Sequence, residues 1–191
     1  IIGSENRFAL ARFNTDGTLD TTTFIALSPT QPGTVSTTVD NSATSVGLSV
    51  AMQQDGKIVV AGSANISGVD RFAVARFNTD GTLDTMFNAS GAQPGTVTTN
   101  IDNTAGACIA QSVAIQQDGK IVVAGTAEIS GANRFAVARF NVDGTLDTTT
   151  FNALSPTQPG TVSTTIDNDP TSSTGTSVAI QQDGKIVVGG N

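Results

Sequence analysis

The sequence has no histidine, tryptophan or tyrosine, and its one cysteine is Cys108. Catalysis by Ser–His–Asp or Cys–His groups is excluded because both need histidine. A single cysteine also excludes an intrachain disulfide and a metal site built from several cysteines. We therefore expect Cys108 to be an ordinary buried or surface thiol.

Positive charge is scarce as well. Nine Lys and Arg residues stand against 16 Asp and Glu residues, which gives a net charge of −7. Nucleic acid and anionic membrane surfaces are poor partners for such a chain, since both require clustered basic side chains. No apolar run approaches the roughly 18 residues that would span a bilayer, and no signal peptide is visible. Solubility must depend on Thr, Ser, Asn and Gln, a surface typical of secreted β-proteins.

Two phrases recur along the chain with a spacing of 63 to 65 residues. The first is RFALARFNTDGTLDTTTF or a near copy of it, beginning at Arg7, Arg71 and Arg134. The second is QQDGKIVV, beginning at Gln53, Gln116 and Gln181. A fixed period of this size indicates a repeat architecture. We expect residues 1–191 to form a single repeat array with units of approximately 1–48, 49–111 and 112–176, and a partial unit 177–191.

One unit contains four segments with the composition of β-strands. They are SVAIQ (112–116), KIVVAGT (120–126), RFAVARFN (134–141) and the Thr-rich GTVSTTID (160–167). Asp-Gly turns separate the first two and follow the third, while AEISGAN (127–133) is predicted to be a loop or wide hairpin. No segment shows a helical period. Four antiparallel strands per repeat predict an all-β fold of the β-propeller type, whose blades are four-stranded sheets. A β-solenoid is the alternative, but its coils do not need hairpins inside each repeat.

The ordered pair of motifs resembles the bacterial delta-60 repeat, which is similar to NHL-type propeller repeats. The resemblance rests on SVAIQQDGKIVVAG (112–125) and FAVARFNVDGTLDTTTF (135–151) and covers all three copies. It implies a propeller-like scaffold, often in large secreted or surface proteins of bacteria, with no shared catalytic residues. The insertion SPTQPGTVSTT departs from the usual unit.

The sequence holds about three blades, fewer than the four to eight of ordinary propellers. The ring is therefore predicted to close by dimerisation or by further blades outside this chain, since open strand edges invite association. The sequence begins and stops inside a repeat unit. We expect either a longer protein or first and last pieces that complete one blade.

Nearly all charged residues recur with the period, which indicates a structural role and no enzyme activity, because an active site needs distinct groups in one asymmetric arrangement. The repeated arginines Arg12, Arg76 and Arg139 are predicted to pair with Asp20, Asp84 and Asp147, because an unpaired buried charge is costly. The Asp-Gly aspartates are expected to cap backbone N–H groups in their turns. A calcium loop aligned on Gly17 would place Arg12 at the first ligand position, which argues against that metal. No catalytic, cofactor or metal residue is predicted.

The favoured function is a non-catalytic scaffold, adhesion or protein-interaction module of a bacterial surface or secreted protein. The alternatives are a multivalent, lectin-like glycan binder and, more remotely, a propeller hydrolase or lyase. Variable segments where a ligand could bind are 42–48, 104–110 and 169–175, together with 63–70 and 127–133. The expected partners are further copies or blades of the same kind and a protein or glycan ligand.

Overall fold

The computed structural model describes residues 6–25, 31–104, 106–167 and 172–191, and this part of the chain contains β-strands and no helix. No segment of it is therefore a helix long and apolar enough to cross a membrane. The twelve strands are β1 (Phe8–Ala11), β2 (Thr34–Thr37), β3 (Ser45–Met52), β4 (Ile58–Ile66), β5 (Val69–Phe77), β6 (Thr96–Thr99), β7 (Cys108–Ile115), β8 (Ile121–Ile129), β9 (Ala132–Phe140), β10 (Thr161–Thr164), β11 (Gly175–Ile180) and β12 (Ile186–Gly190).

The strands form two complete four-stranded sheets and two smaller ones. Strands β3 to β6 make one antiparallel sheet in chain order, and β7 to β10 make the next. The other two sheets hold two strands each, β1–β2 and β11–β12. These observations confirm the predicted all-β fold with four-stranded antiparallel blades, and the Thr-rich strand lies at the blade edge. The described strands do not close a ring.

The segment 127–133, predicted to be a loop or wide hairpin, is a hairpin with a much tighter turn than expected. Strands β8 and β9 continue through this segment and pair as far as Ile129 and Ala132, leaving a two-residue turn at Ser130 and Gly131. Both turn residues have positive φ, 54° and 81°. Such a turn twists in the same sense as the strands that flank it, so the hairpin can extend to its tip. The divisions predicted after residues 48, 111 and 176 fall inside β3, β7 and β11.

The core lies between neighbouring blades. Val59 and Val74 of the first complete blade share one buried cluster with Val113 and Val123 of the second. A second cluster joins β1–β2 to the first complete blade, and a third joins the second complete blade to β11–β12. Each middle strand is covered on both faces, which explains the nearly continuous apolar runs of β4 and β8. Every repeat thus buries its faces only against the adjacent repeats.

Asp-Gly turns follow the third strand of each repeat, as predicted. In the last copy, the Gly144 N–H donates to the Asn141 carbonyl at 3.0 Å, and Gly144 has a φ of 90°. The Asp143 carboxylate accepts from the backbone N–H of Thr145 at 3.0 Å. The same contact links Asp16 to Thr18 and Asp80 to Thr82. Capping of these turns by aspartate is confirmed.

The innermost strands carry a β-bulge where the middle strand has a glycine. The bulges lie between Gly47 and Ser49 in β3 and between Ala110 and Ser112 in β7. A Cβ on Gly125 would sit 2.0 Å from the carbonyl oxygen of Ile109. The bulge therefore brings the two backbones closer than any side chain would permit.

Candidate functional site

A buried ionic cluster occupies the turn edge of each complete blade. In the first of them, Asp84 Oδ2 lies 2.7 Å from Arg76 Nε and 2.9 Å from Lys57 Nζ. The Arg76 guanidinium lies 4.6 Å from the centre of the Phe87 ring. The arginine, aspartate and phenylalanine are all buried. A paired charge that stacks on an aromatic face loses less on desolvation than an isolated one.

The cluster recurs in the other copies, as the sequence predicted for the Arg–Asp pair. Arg139 Nη2 lies 2.9 Å from Asp147 Oδ2, and Lys120 Nζ lies 3.1 Å from the same oxygen. In the first copy, Arg12 Nη2 lies 2.8 Å from Asp20 Oδ2. The pairing prediction is confirmed for all three repeats. The lysine was not foreseen, although Lys57 and Lys120 share a position in the period.

The same arginines also connect one repeat to the next. Arg76 Nη1 donates to the carbonyl of Val142 at 2.5 Å, and Arg12 Nη1 donates to the carbonyl of Thr79 at 2.6 Å. Both acceptors lie in the Asp-Gly turn of the following repeat. The guanidinium therefore holds its own blade together through Asp84 or Asp20 and fixes the neighbouring turn as well.

The pKa values of these carboxyls are lowered. Burial alone would raise the pKa of Asp84, but the hydrogen bond from Lys57 and the charge of Arg76 outweigh it. For Asp147 burial is again opposed by the Thr150 hydrogen bonds, Lys120 and Arg139, and the pKa falls well below its usual range. The pKa of Asp20 is also lowered, and the hydrogen bonds from Thr23 are the largest cause. Carboxylates that stay ionised and fully bonded are poor proton donors near neutral pH.

The stability of the fold should therefore fall in acid. Because the folded pKa of Asp147 lies below its unfolded value, the unfolded chain binds more protons, and the free energy of unfolding decreases as the pH drops. We expect a flat urea midpoint between pH 7 and about pH 5, with a decline below about pH 4, the range of unfolded aspartate. The measurement is urea unfolding across this pH range. Asp147→Asn should be less stable at pH 7 and should show a shallower decline, and a variant with the wild-type slope would contradict the assignment.

A groove lies beside these clusters, at the turns that join the two inner strands of successive repeats. We call it the glutamine groove, and it has a volume of about 540 Å³. Its lining residues are Met52, Gln54, Ile115, Gln116, Gln117, Ile180, Gln181, Gln182, Asp183 and Gly184. The lining thus combines glutamine amides with the apolar side chains of Met52, Ile115 and Ile180, and it contains no aromatic side chain.

Some glutamines of this edge are structural and others are exposed. Gln53 Nε2 donates to the Gly119 carbonyl at 3.3 Å, and Gln116 Nε2 donates to the Gly184 carbonyl at 3.1 Å. These bonds join turns of consecutive repeats and set the groove's shape. Gln117 and Gln182 are exposed. In the first two QQDGK turns, the first glutamine thus bonds to the next turn and the second faces solvent.

The groove does not coincide with the variable segments proposed as ligand sites. Residues 45–48 and 108–110 of those segments belong to the inner strands β3 and β7, and 63–70 and 127–133 form the hairpin tips at the other edge. Part of 169–175 lies outside the described residues. The sequence signal that could have indicated the groove is the pair of glutamines that recurs in every QQDGK turn.

No group of three or more Cys, Asp or Glu residues that could hold a metal ion occurs in the described ranges. In the loop tested for calcium, the Asp16 carboxylate accepts from Thr18 Oγ1 at 2.6 Å, and Asn14 Nδ2 donates to the same hydroxyl at 3.1 Å. These oxygens are engaged in holding the turn.

Comparison with known families adds to this geometry. A family model described as a domain of unknown function (DUF5122) beta-propeller matches residues 1–22, 53–87 and 116–149. The chain carries β-propeller repeats. Each of the longer matched segments of the propeller repeat covers both Asp-Gly turns, the two middle strands and the ionic cluster. The matching therefore follows the residues that fix one blade to the next. No curated protein matches the chain.

Proposed function

We propose that this chain is a non-catalytic propeller scaffold that binds a protein partner, as part of a secreted or surface protein of bacteria and of the delta-60 repeat type. The observation that carries the proposal is that the recurring carboxylates are held in ion pairs. Asp84 and Asp147 each contact an arginine and a lysine within about 3 Å. A surface rich in uncharged polar groups supports the extracellular location.

The glutamine groove is the binding surface we propose. Exposed amides of Gln117 and Gln182 can donate to and accept from the backbone of an extended peptide, which presents both kinds of group. The side chains of Met52, Ile115 and Ile180 offer apolar contact to alternate residues of such a peptide. A glycan is less suited to this lining, because sugar rings commonly stack on aromatic side chains.

The test is selection of a displayed peptide library on the 191-residue chain, followed by affinity measurement by fluorescence anisotropy. Gln117→Lys combined with Gln182→Lys should weaken the selected peptides by about tenfold or more, the loss typical of central interface residues. Thr164→Lys is the matched control, because Thr164 is exposed on the outer strand β10 and lies outside the groove.

Peptides that bind the groove variant as tightly as the wild type would contradict the groove assignment. A glycan-array signal that the same two substitutions abolish would instead favour the lectin-like reading over a protein partner.

A further inference from the structure

A second pocket lies between the second complete blade and strand β11, and we call it the hairpin-edge pocket. It has a volume of about 150 Å³, and its lining includes Ile109, Gln111, Thr126, Glu128, Asn133 and Thr174. Ile109 belongs to the variable segment 104–110, Glu128 and Asn133 belong to 127–133, and Thr174 belongs to 169–175. Three of the segments in which the sequence predicts a ligand site therefore meet at this pocket.

Backbone contacts fix the walls of the pocket. Ile109 pairs with Thr126 across β7 and β8, and Glu128 pairs with Asn133 across β8 and β9. The Ser173 N–H donates to the Asn133 carbonyl at 3.0 Å, which holds the segment before β11 against the hairpin of the preceding blade. The pocket thus lies between two neighbouring repeats and does not involve the strand edges at either end of the array.

Glu128 is the only charged residue of the lining. Its side chain is exposed, and within the described ranges its carboxylate makes no ion pair and no hydrogen bond. The carboxylates of the ionic clusters differ in this respect, since each contacts a guanidinium, as Asp147 does with Arg139. The Glu128 carboxylate is therefore available to a cation from outside the chain.

The preceding interface, between the two complete blades, has a different arrangement at the same positions. Asn65 and Asp70 pair across β4 and β5 as Glu128 and Asn133 do across β8 and β9. There Asn65 Nδ2 donates to Asp70 Oδ1 at 3.0 Å, so the amide occupies the carboxylate. The available carboxylate is thus a feature of one interface and not of the repeat.

Two apolar positions of the repeat are also polar in this pocket. Gln111 occupies the position that Leu48 has in the first complete blade, and Thr174 occupies the position of Ile109. Thr126 is 8% exposed, and in the described part of the chain its hydroxyl has no hydrogen-bond partner. A buried hydroxyl without a partner costs free energy that a bound polar group can restore.

Size and lining together select the ligand. The volume is about five times the roughly 30 Å³ of one water molecule in the liquid, which leaves room for a group of about five non-hydrogen atoms. Oxygen acceptors beside the Glu128 carboxylate come from amide and hydroxyl side chains, those of Gln111, Thr126, Asn133 and Thr174. A primary ammonium group has three donors and no acceptor, which suits such a lining. An anion would meet Glu128 without any basic side chain in the lining to bind it.

We propose that the hairpin-edge pocket binds a primary ammonium group on a short alkyl chain, with Glu128 as its charge partner and Ile109 in contact with the alkyl chain. A lysine side chain of another protein and a free alkylamine both present this chemistry. The site is separate from the glutamine groove, because Ile115 of that groove lies at the opposite end of β7. Binding here does not depend on the peptide proposed for the groove.

Amide proton–nitrogen correlation spectra of the 191-residue chain test the proposal. The probes are Nα-acetyl-lysine methylamide, n-butylammonium chloride and Nα-acetyl-norleucine methylamide, which has the alkyl chain but no ammonium group. Both ammonium probes should shift the signals of Thr126 and Glu128 in a saturable manner, and the norleucine probe should not. Tighter binding of the lysine probe than of butylammonium would assign the site to a protein lysine, and the reverse order would assign it to a free amine.

Glu128→Gln removes the charge and keeps the size of an exposed side chain. It should raise the dissociation constant of the lysine probe by about three- to fivefold, as expected for an ion pair that is open to water. Asp118→Asn is the matched control, since Asp118 is also exposed but lies in the turn at the opposite edge of the same blade. Asparagine keeps an oxygen that can accept from the Lys120 N–H, so this variant loses the same charge and should bind like the wild type.

The spectra of both variants also report directly on folding. Equal shifts from the norleucine probe would overturn the proposal in favour of recognition of the alkyl chain alone. Equal losses for Asp118→Asn and Glu128→Gln would overturn it in favour of attraction by the net charge of −7. Wild-type affinity in Glu128→Gln, or no saturable shift with either ammonium probe, would overturn it as well.

Discussion

Arg76→Ala is expected to lower the free energy of unfolding by about 3–5 kcal/mol, the loss seen when one partner of a buried ion pair is removed. Asp84 would keep its contact with Lys57 but would lose the guanidinium at 2.7 Å. The carbonyl of Val142 would also lose its donor from the preceding repeat. Urea unfolding followed by circular dichroism measures the change.

Arg12→Ala is the matched control for this variant. Arg12 makes the equivalent bonds, but its side chain is 34% exposed against 6% for Arg76. Water can therefore replace part of what is lost, and the loss should be clearly smaller. Equal losses for the two variants, or a loss below about 1 kcal/mol for Arg76→Ala, would show that burial of the cluster is not the source of its stability.

Gly125→Ala should have a comparable effect for a purely steric reason. The added Cβ would lie 2.0 Å from the Ile109 carbonyl oxygen, which belongs to the backbone of the adjacent strand just before its bulge. We expect a loss of about 3 kcal/mol, at the upper end for overpacking of a well-packed interior. The measurement is again the urea midpoint, together with the slope of the transition.

Gly189→Ala provides the control in the same motif. The repeats read KIVVAG in the first two copies and KIVVGG in the last, so this change restores the alanine of Ala61 and Ala124. A Cβ at Gly189 meets nothing within 4 Å. The variant should be neutral or more stable by up to about 1 kcal/mol, since alanine restricts the unfolded chain. Destabilisation by Gly189→Ala as large as that by Gly125→Ala would contradict the steric explanation.

The sequence allowed correct predictions where a feature depends on neighbouring residues, or where leaving a buried charge unpaired would cost too much free energy. Asp143 and Gly144 could be assigned to their turn because aspartate caps a neighbouring N–H and glycine accepts positive φ. Arg76 and Asp84 are only eight residues apart, and a charge within a sandwiched strand must find a partner. The period then carried both conclusions to every repeat.

The contacts that were missed join positions far apart in the chain. Lys57 reaches Asp84 across 27 residues, and Arg76 reaches Val142 across 66. The repeat period shows which residues occupy equivalent positions, but it does not show which residues are in contact in the folded chain. The tightness of the turn at Ser130 and Gly131 was missed for another reason. Ser-Gly is a weaker hairpin signal than Asn-Gly or Asp-Gly, so the strands were ended too early.

The direction of the arginine contacts limits how such an array can change in length. Donor and acceptor are 67 residues apart for Arg12 and 66 for Arg76, which is close to one unit. Duplication or loss of one entire unit therefore supplies each guanidinium with an equivalent carbonyl, wherever the cut is made. If only part of a unit were gained or lost, the arginine guanidinium would face a different segment and would lose its carbonyl acceptor. We therefore expect an array of this kind to gain or lose blades in whole units.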